Sequence, residues 1–180
     1  MTAPIPTIET ARLILRGPVE ADFPTVERFM ASPRAAFIGG PVTDRFQAWR
    51  GFLAVLGHWA LRGYGFFTVT LKDGTLVGRV GLINHIGWHE PELGWHLFDG
   101  FEGHGYAAEA AIAARDWAAS ELGLGPLISH IDADNTRSLA LARRLGATHE
   151  RDTTVLGLPA QVWRHPAPAS EQDGGMEAYA

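Results

Sequence analysis

Apolar residues recur along this 180-residue chain with two different periods, and the switches between them mark its elements. Arg12–Arg16 (RLILR) alternates and reads as a short strand. From Pro18 the spacing turns helical: Val19, Phe23, Val26, Phe29 and Met30 share a face, with Glu20 and Asp22 in the first turn. Ser32-Pro33 ends that helix, and Arg34–Val42, with Gly39, Gly40 and Pro41, reads as a loop. Thr43 or Asp44 caps a second helix through about Leu61, with Phe46, Trp49, Phe52, Leu53, Leu56 and Trp59 or Ala60 as its apolar stripe. After Gly63 the period falls to two. Phe66–Leu71 and Leu76–Ile83 are strands around an Asp73-Gly74 turn, and Gly78 and Gly81 inside the second suggest a bulge or a close backbone approach. Asn84–Pro91 is a His- and Gly-rich loop. Glu92–Phe98 is a strand, Tyr106–Leu122 a helix ending at Gly123–Pro126, and Leu127–Ile131 a strand. Asp134 or Asn135 caps a helix over Thr136–Leu145 that stops at Gly146. Thr148–Leu156 and Ala160–Arg164 form a closing hairpin. The order β-α-α-β-β-β-α-β-α-β-β predicts a mixed α/β sheet in one domain.

Composition narrows the classes. Apolar residues make up 46% of the chain and charged ones 19%, as in ordinary globular proteins. The net charge of −5 gives no reason to expect nucleic acid as a partner. The absence of cysteine excludes disulfides, thiolate catalysis and cysteine-based zinc sites. No basic segment followed by a long apolar one opens the chain, and its apolar runs are too short or broken to span a bilayer, so a cytoplasmic protein without a membrane partner is expected. His85 and His89 have metal-ligand spacing, but Gly87 and Pro91 argue against a helix there, and no metal is expected. Arg34 and Arg45, which flank the Gly39-Gly40-Pro41 loop, are either a solvated pair or a site for an acidic group. From Ala167 the residues become small and polar, dividing the chain into a domain (1–166) and a tail (167–180). A neighbouring copy is a candidate to hold that tail, which would make the protein a homodimer.

The chemistry concentrates in Glu92–Ala110, ELGWHLFDGFEGHGYAAEA. A strand meets a turn containing Gly100, Gly103 and Gly105, and a helix follows at once. Such a turn aims backbone N–H groups and the positive end of a helix dipole outward, which makes it an anion site. One reading is half of a dinucleotide fingerprint, Gly103-x-Gly105-x-x-Ala108, with Asp132 as the ribose-binding acid of an NAD(P)-dependent oxidoreductase. The motif, however, sits past mid-chain, and what precedes it is helices and antiparallel hairpin strands rather than a βαβ series.

The second reading uses more of the chain. Glu92–Ala110 resembles motif A of the GNAT N-acetyltransferase superfamily, its Q/R-x-x-G-x-G/A turn standing here as Glu102-Gly103-His104-Gly105-Tyr106-Ala107. Asn135-Thr136-Arg137-Ser138 through Leu145-Gly146-Ala147 resembles the family's N-x-x-S…K-L-G-F helix. Thr10-Ala11-Arg12-Leu13-Ile14-Leu15-Arg16 resembles its T-x-R-L-x-L-R opening strand. With Glu92-Leu93-Gly94-Trp95 and Gly105-Tyr106-Ala107-x-Glu109-Ala110, the opener points to the branch resembling ribosomal-protein-alanine N-acetyltransferases. The chain departs from the pattern at Glu102, where Gln or Arg is usual, at Arg144 for Lys, at Ala147 for Phe, and at Asp99-Gly100, where Pro is frequent. An acid at 102 beside a pyrophosphate is unfavourable unless its side chain points away.

The resemblance implies a single-domain GNAT-like fold: a mostly antiparallel twisted sheet, splayed at the CoA-binding strand and flanked by about four helices. It implies an acetyl-CoA-dependent N-acetyltransferase acting on a primary amine, a protein N-terminus or a small molecule, by direct attack in a ternary complex. The strand Trp95, His96, Leu97 and Phe98 would bond the pantetheine, with the Leu97 amide polarising the thioester carbonyl. Gly103, His104, Gly105, Tyr106 and Ala107 would cradle the pyrophosphate, with Asn135, Ser138 and Arg143 contacting the pantetheine or phosphates. Glu92 is a candidate base or an ordinary solvated acid, and His130 a candidate base or a core histidine. Asn84 would line the acceptor site together with Glu92. The family's usual Tyr acid has no counterpart between Tyr106 and Tyr179, which leaves water or the tail Tyr179 to protonate the thiolate and keeps a non-catalytic acyl-CoA-sensing module as an alternative.

Overall fold

The computed structural model describes residues 4–167, so the expected tail from 168 onward, with Tyr179, lies outside the described residues. Eight strands form one open sheet in the order β1-β2-β3-β4-β5-β6-β8-β7. They are β1 (Ile8–Glu9), β2 (Leu13–Arg16), β3 (Phe66–Leu71), β4 (Leu76–Ile83), β5 (Glu92–Leu97), β6 (Ile128–Ile131), β7 (Thr148–Val155) and β8 (Leu158–Arg164). The helices are α1 (Phe23–Met30), α2 (Arg45–Arg62), α3 (Tyr106–Leu122) and α4 (Thr136–Arg144). All neighbouring strands are antiparallel except β5 and β6, which are parallel and meet through one residue pair, Glu92 with Ile128. Beyond that pair the sheet splits.

Alternation builds the core. Leu13, Leu15, Phe67, Val69, Val80, Leu82 and Leu93 point to one face, where the small side chains of Ala110, Ala111, Ala114 and Ala118 let α3 lie close. A second cluster joins Phe23, Val26 and Phe29 of α1 to Ala48 and Phe52 of α2 and to Phe98. α4 packs through Leu139 and Ala142 on Ile131 and Trp163. The expected close approach at Gly78 and Gly81 is real: a Cβ on Gly81 would lie 2.2 Å from the Gly65 carbonyl, and one on Gly78 2.3 Å from that of His96.

Three expectations need correction. The first helix does not open at Pro18. The Asp22 carboxylate folds back onto the Val19 N–H (3.0 Å), tightening Glu20–Asp22 into a 3-10 turn, and α1 starts at Phe23. Arg34–Val42 is not wholly loop, because Pro33–Ile38 winds into a further 3-10 segment. The stripe of α2 was drawn too wide: its inward row is Ala48, Phe52, Val55 and Trp59, whereas Phe46 is 69% and Leu53 42% exposed. Residues 46 and 53 are two turns apart on the other side of the helix, where apolar spacing alone cannot tell an inner from an outer row.

Asp22 ties the first half of the sheet together. It is 2% exposed and accepts from both Arg16 amino groups (2.7 and 2.8 Å) and from Thr68 Oγ1 (2.9 Å). Burial pushes its pKa up, but Arg16, the Val19 amide and Thr68 outweigh that and hold it below the ordinary carboxylate value.

A second buried device sits at the base of the split. Ser129 Oγ–H donates to the Leu93 carbonyl (2.6 Å), which can only accept, so Ser129 Oγ accepts from His165 Nε2–H (2.9 Å). His165 Nδ1 is then a buried acceptor without a partner. Burial, helped by Arg115, lowers the His165 pKa to about 4. The unfolded chain takes up a proton on this imidazole near pH 6.5 and the folded chain only near 4. Its contribution to stability is therefore whole above pH 6.5 and is lost as the pH falls to 4. Urea denaturation at pH 7 and pH 5 should show acid destabilisation on the order of 1–3 kcal/mol from this group. His165→Gln, which keeps a donor to Ser129, should flatten that slope.

Candidate active site

The split between β5 and β6 opens into a cleft of about 730 Å³. Trp95, His96 and Leu97 of β5, the turn at Gly103 and Gly105, and Tyr106 and Ala107 of α3 line it. Asn135, Ser138, Leu141 and Arg144 line it from α4, and Arg34, Phe37 and Ile38 from the 3-10 segment. Successive backbone groups of a strand alternate between its two neighbours. The Phe98 N–H bonds Val77 on β4, while the Leu93 and Leu97 carbonyls take side-chain donors from the other side, Ser129 and Arg34. The N–H groups of Trp95 and Leu97 therefore turn into the split, where no strand meets them.

Gly103 and Gly105 hold φ of 80° and 79°, a left-handed region open to glycine, and this lets the turn fold back into α3. Gly105 caps α3 without a side-chain bond, and Glu109 N–H to the Gly105 carbonyl (3.1 Å) is the bond that starts the helical ladder. The amides before it lie free at the positive end of the helix dipole. Asn135 caps α4 by accepting from the Ser138 N–H (3.2 Å), and Ser138 Oγ accepts from Trp95 Nε1 (3.3 Å), joining α4 to β5 across the split.

The opening Thr10-x-Arg12 has a mechanical role that its sequence pattern does not disclose. Thr10 Oγ1 (2.6 Å) and the Arg12 N–H (2.9 Å) donate to Glu109 Oε1, and Arg12 Nε donates to Oε2 (2.7 Å). Arg12 also donates to the His104 carbonyl (2.9 Å) and lies over the Tyr106 ring, 4.8 Å from its centroid. The first strands thus clamp the glycine turn from behind. The odd residue of that turn, Glu102, points to Arg34 and has Arg137 3.7 Å away. Arg34 also bonds Asp99 and the Leu97 carbonyl. Arg34 thus lines the cleft, and Arg45 lies 3.5 Å from Glu27.

Not every expected residue lines this cleft. Phe98 is buried against Phe29. The His104 ring stacks on Tyr106 while its carbonyl takes the Arg12 bond. Arg143 lies over Trp163, 5.0 Å from the ring centroid, because the cleft face of α4 runs Arg137, Leu141, Arg144; the next residue, Arg144, stands where Arg143 was expected.

At the closed end of the split, Glu92 and His130 come together. Glu92 Oε2 is 2.7 Å from His130 Nδ1 and accepts from Trp88 Nε1 (2.6 Å). Among the described residues no hydrogen bond reaches Glu92 Oε1. The His130 side chain is 5% exposed, and its Nε2 is buried without a partner. Arg164 forks onto Glu90 (2.6 and 2.8 Å), pinning the loop that carries Trp88. The Asn84 N–H donates to His58 Nε2 (3.0 Å) on the same side. His96 lies on the same face as Glu92, two positions apart twice over, stacked on Phe29. Burial, then Arg79 and Arg34, holds its pKa well below the usual histidine value, so it is neutral. Asp132 only accepts from the Asp134 N–H (2.8 Å) in the approach to α4. His85 and His89 diverge, His85 toward Trp88 and His89 toward Thr153. Among the described residues no three His, Asp or Glu side chains gather as a metal site, and no helix is long and apolar enough to cross a membrane.

A split mixed sheet, with free strand amides leading to a glycine-initiated helix, is the framework of an acetyltransferase. Residues 12–148 match the family model for the acetyltransferase (GNAT) domain, and the chain belongs to that family. It is similar to the crystal structure of an acetyltransferase from Agrobacterium tumefaciens, at 39% identity and a TM-score of 0.85 over 93% of this chain and 98% of that one. A putative ribosomal-protein-serine acetyltransferase from Vibrio cholerae is 26% identical, with a TM-score of 0.76 over 93% of this chain and 100% of that one, in keeping with the branch its motifs resemble. An uncharacterized N-acetyltransferase, YnaD, of Bacillus subtilis is 29% identical over 85 residues, 47% of this chain; the match spans about half (50%) of that curated relative's length.

Glu109→Ala would leave Thr10, the Arg12 N–H and the Arg12 guanidinium without their shared acceptor. Urea denaturation should show a loss of about 1–3 kcal/mol, and hydrogen exchange at the first bonded amides of α3, Ala110–Ala113, should accelerate.

Proposed function

We propose that the protein is an acetyl-CoA-dependent N-acetyltransferase acting on a primary amine by direct attack. The observation that carries this is the line of unpaired amides from Trp95 and Leu97 to the uncapped start of α3, matching in order a pantetheine and a pyrophosphate. Acetyl-CoA would supply the activated acyl group. The Trp95 and Leu97 N–H groups would hold the pantetheine and polarise the thioester carbonyl. The turn Gly103–Ala107 would hold the pyrophosphate, with Arg34, Arg137 and Arg144 as its cations. Asn135 and Ser138 would close the cleft from α4.

Glu92 Oε1 is free of hydrogen bonds among the described residues and would take the proton of the incoming amine, its other oxygen being held by Trp88 and His130. The amine nitrogen bonds the acyl carbon, the C–S bond breaks, and the thiolate takes its proton from solvent. Glu92→Gln should lower kcat by about 10²–10⁴-fold in a CoA-release assay while CoA still binds by calorimetry. Full activity in that variant would remove Glu92 as base. CoA binding without transfer to any amine would favour the sensing module.

Glu102 competes with the phosphates for Arg34 and Arg137. Glu102→Gln should therefore tighten CoA binding by about 2–5-fold at low salt, and the difference should shrink as salt is added.

A further inference from the structure

A second, smaller hollow of about 230 Å³ lies between α2 and the sheet. Ile83, one of its walls, is the cross-strand partner of Glu92, so the two side chains share a face. Phe66, another wall, has its ring 6.0 Å from that of His96, which lines the large cleft. Between them the strand is bare at Gly94, where a Cβ would stand 2.7 Å from the Phe66 ring. The hollow therefore begins where the proposed acyl site ends.

Its walls are apolar in chemistry as well as in name. His58 uses both ring nitrogens: Nδ1–H donates to the Tyr64 carbonyl (2.7 Å) and Nε2 accepts from the Asn84 N–H. With both nitrogens committed within the protein, that imidazole offers a ligand nothing. His85 stands at the mouth, its pKa lowered by burial and then by His58. Glu92, cross-strand partner of the wall residue Ile83, keeps Oε1 free of any hydrogen bond among the described residues.

The helix wall contains Gly51, in the interior of α2. Glycine there costs about 0.5–1 kcal/mol relative to alanine. No packing requires it, since nothing lies within 4 Å of a Cβ built at that position. Gly51 is itself exposed, so the missing side chain leaves the hollow open along this side of the helix.

Resting on the acetyltransferase reading, we propose that this hollow receives the side group of the acceptor, a primary amine bearing one aromatic or branched aliphatic group. The apolar group sits between α2 and Phe66, and its amino nitrogen reaches Glu92 Oε1. A polyamine fits less well, because its second ammonium would enter an apolar hollow that has no carboxylate to pair it.

The test compares 2-phenylethylamine, 3-methylbutylamine, ethylamine and spermidine as acceptors for the full chain and for Gly51→Leu. The apolar amines should exceed ethylamine and spermidine by about tenfold or more in kcat/KM, the scale on which apolar pockets discriminate. In Gly51→Leu the ratio of phenylethylamine to ethylamine kcat/KM should fall about tenfold, through KM. That variant should melt at or above the parent temperature, which separates a filled hollow from a damaged fold. A preference for spermidine, or an unchanged ratio in Gly51→Leu, would overturn the proposal. Transfer to no amine would instead overturn the acetyltransferase reading. The hollow is then decided by ¹⁹F NMR of 4-fluorophenylethylamine with the CoA complex: saturable broadening abolished by Gly51→Leu supports it, and no broadening overturns it.

Discussion

The architecture depends on one interrupted strand pairing. β5 and β6 share the single pair Glu92–Ile128 and then part. Every backbone group released by that parting needs another partner. Near the base the protein supplies it: Ser129, itself held by His165, takes the Leu93 carbonyl. Further along Arg34 takes the Leu97 carbonyl. The Trp95 and Leu97 amides between them are left for a ligand. A fully paired sheet would be more stable and would have no site.

The charges around the split are organised by the same geometry. Thr10 and Arg12 hold Glu109 and the glycine turn from behind, so the start of α3 is fixed by the first strands of the sheet order. Glu102 faces Arg34 and Arg137 from the front. The acid that looked misplaced in the turn thus sits among cations, its charge balanced before any phosphate arrives. At the closed end of the split the Glu92 carboxylate has one oxygen held by Trp88 and His130 and the other open.

Legibility followed local punctuation. The limits of α3 could be read as Tyr106–Leu122 because glycines at 105 and 123 leave the helical region at both ends. The β3–β4 hairpin was equally readable from Asp73-Gly74. α1 was misread because its start is set by the Asp22 carboxylate, which depends on Arg16 and Thr68, the latter 46 residues away. The stripe of α2 was misread because both sides of that helix carry large apolar residues, and only the sheet decides which side turns inward. In the site, the glycine turn and the Asn135 cap are local and were visible. Arg34 was not, being 68 residues from Glu102, and neither was the role of Trp88. Arg143 is expected in the cleft and Arg144 lines it instead, because one residue is a 100° rotation that spacing alone does not orient.

By itself the sequence determined most of the elements, the family pattern and the glycine turn that starts α3, since these rest on backbone preferences within a few residues. Tertiary structure alone decided that Glu92 and His130, 38 residues apart, share a hydrogen bond, and that Glu102 turns to Arg34. It also decided that an apolar hollow lies between α2 and the sheet. Those facts depend on how strands from distant parts of the chain are set side by side, and no local preference encodes that.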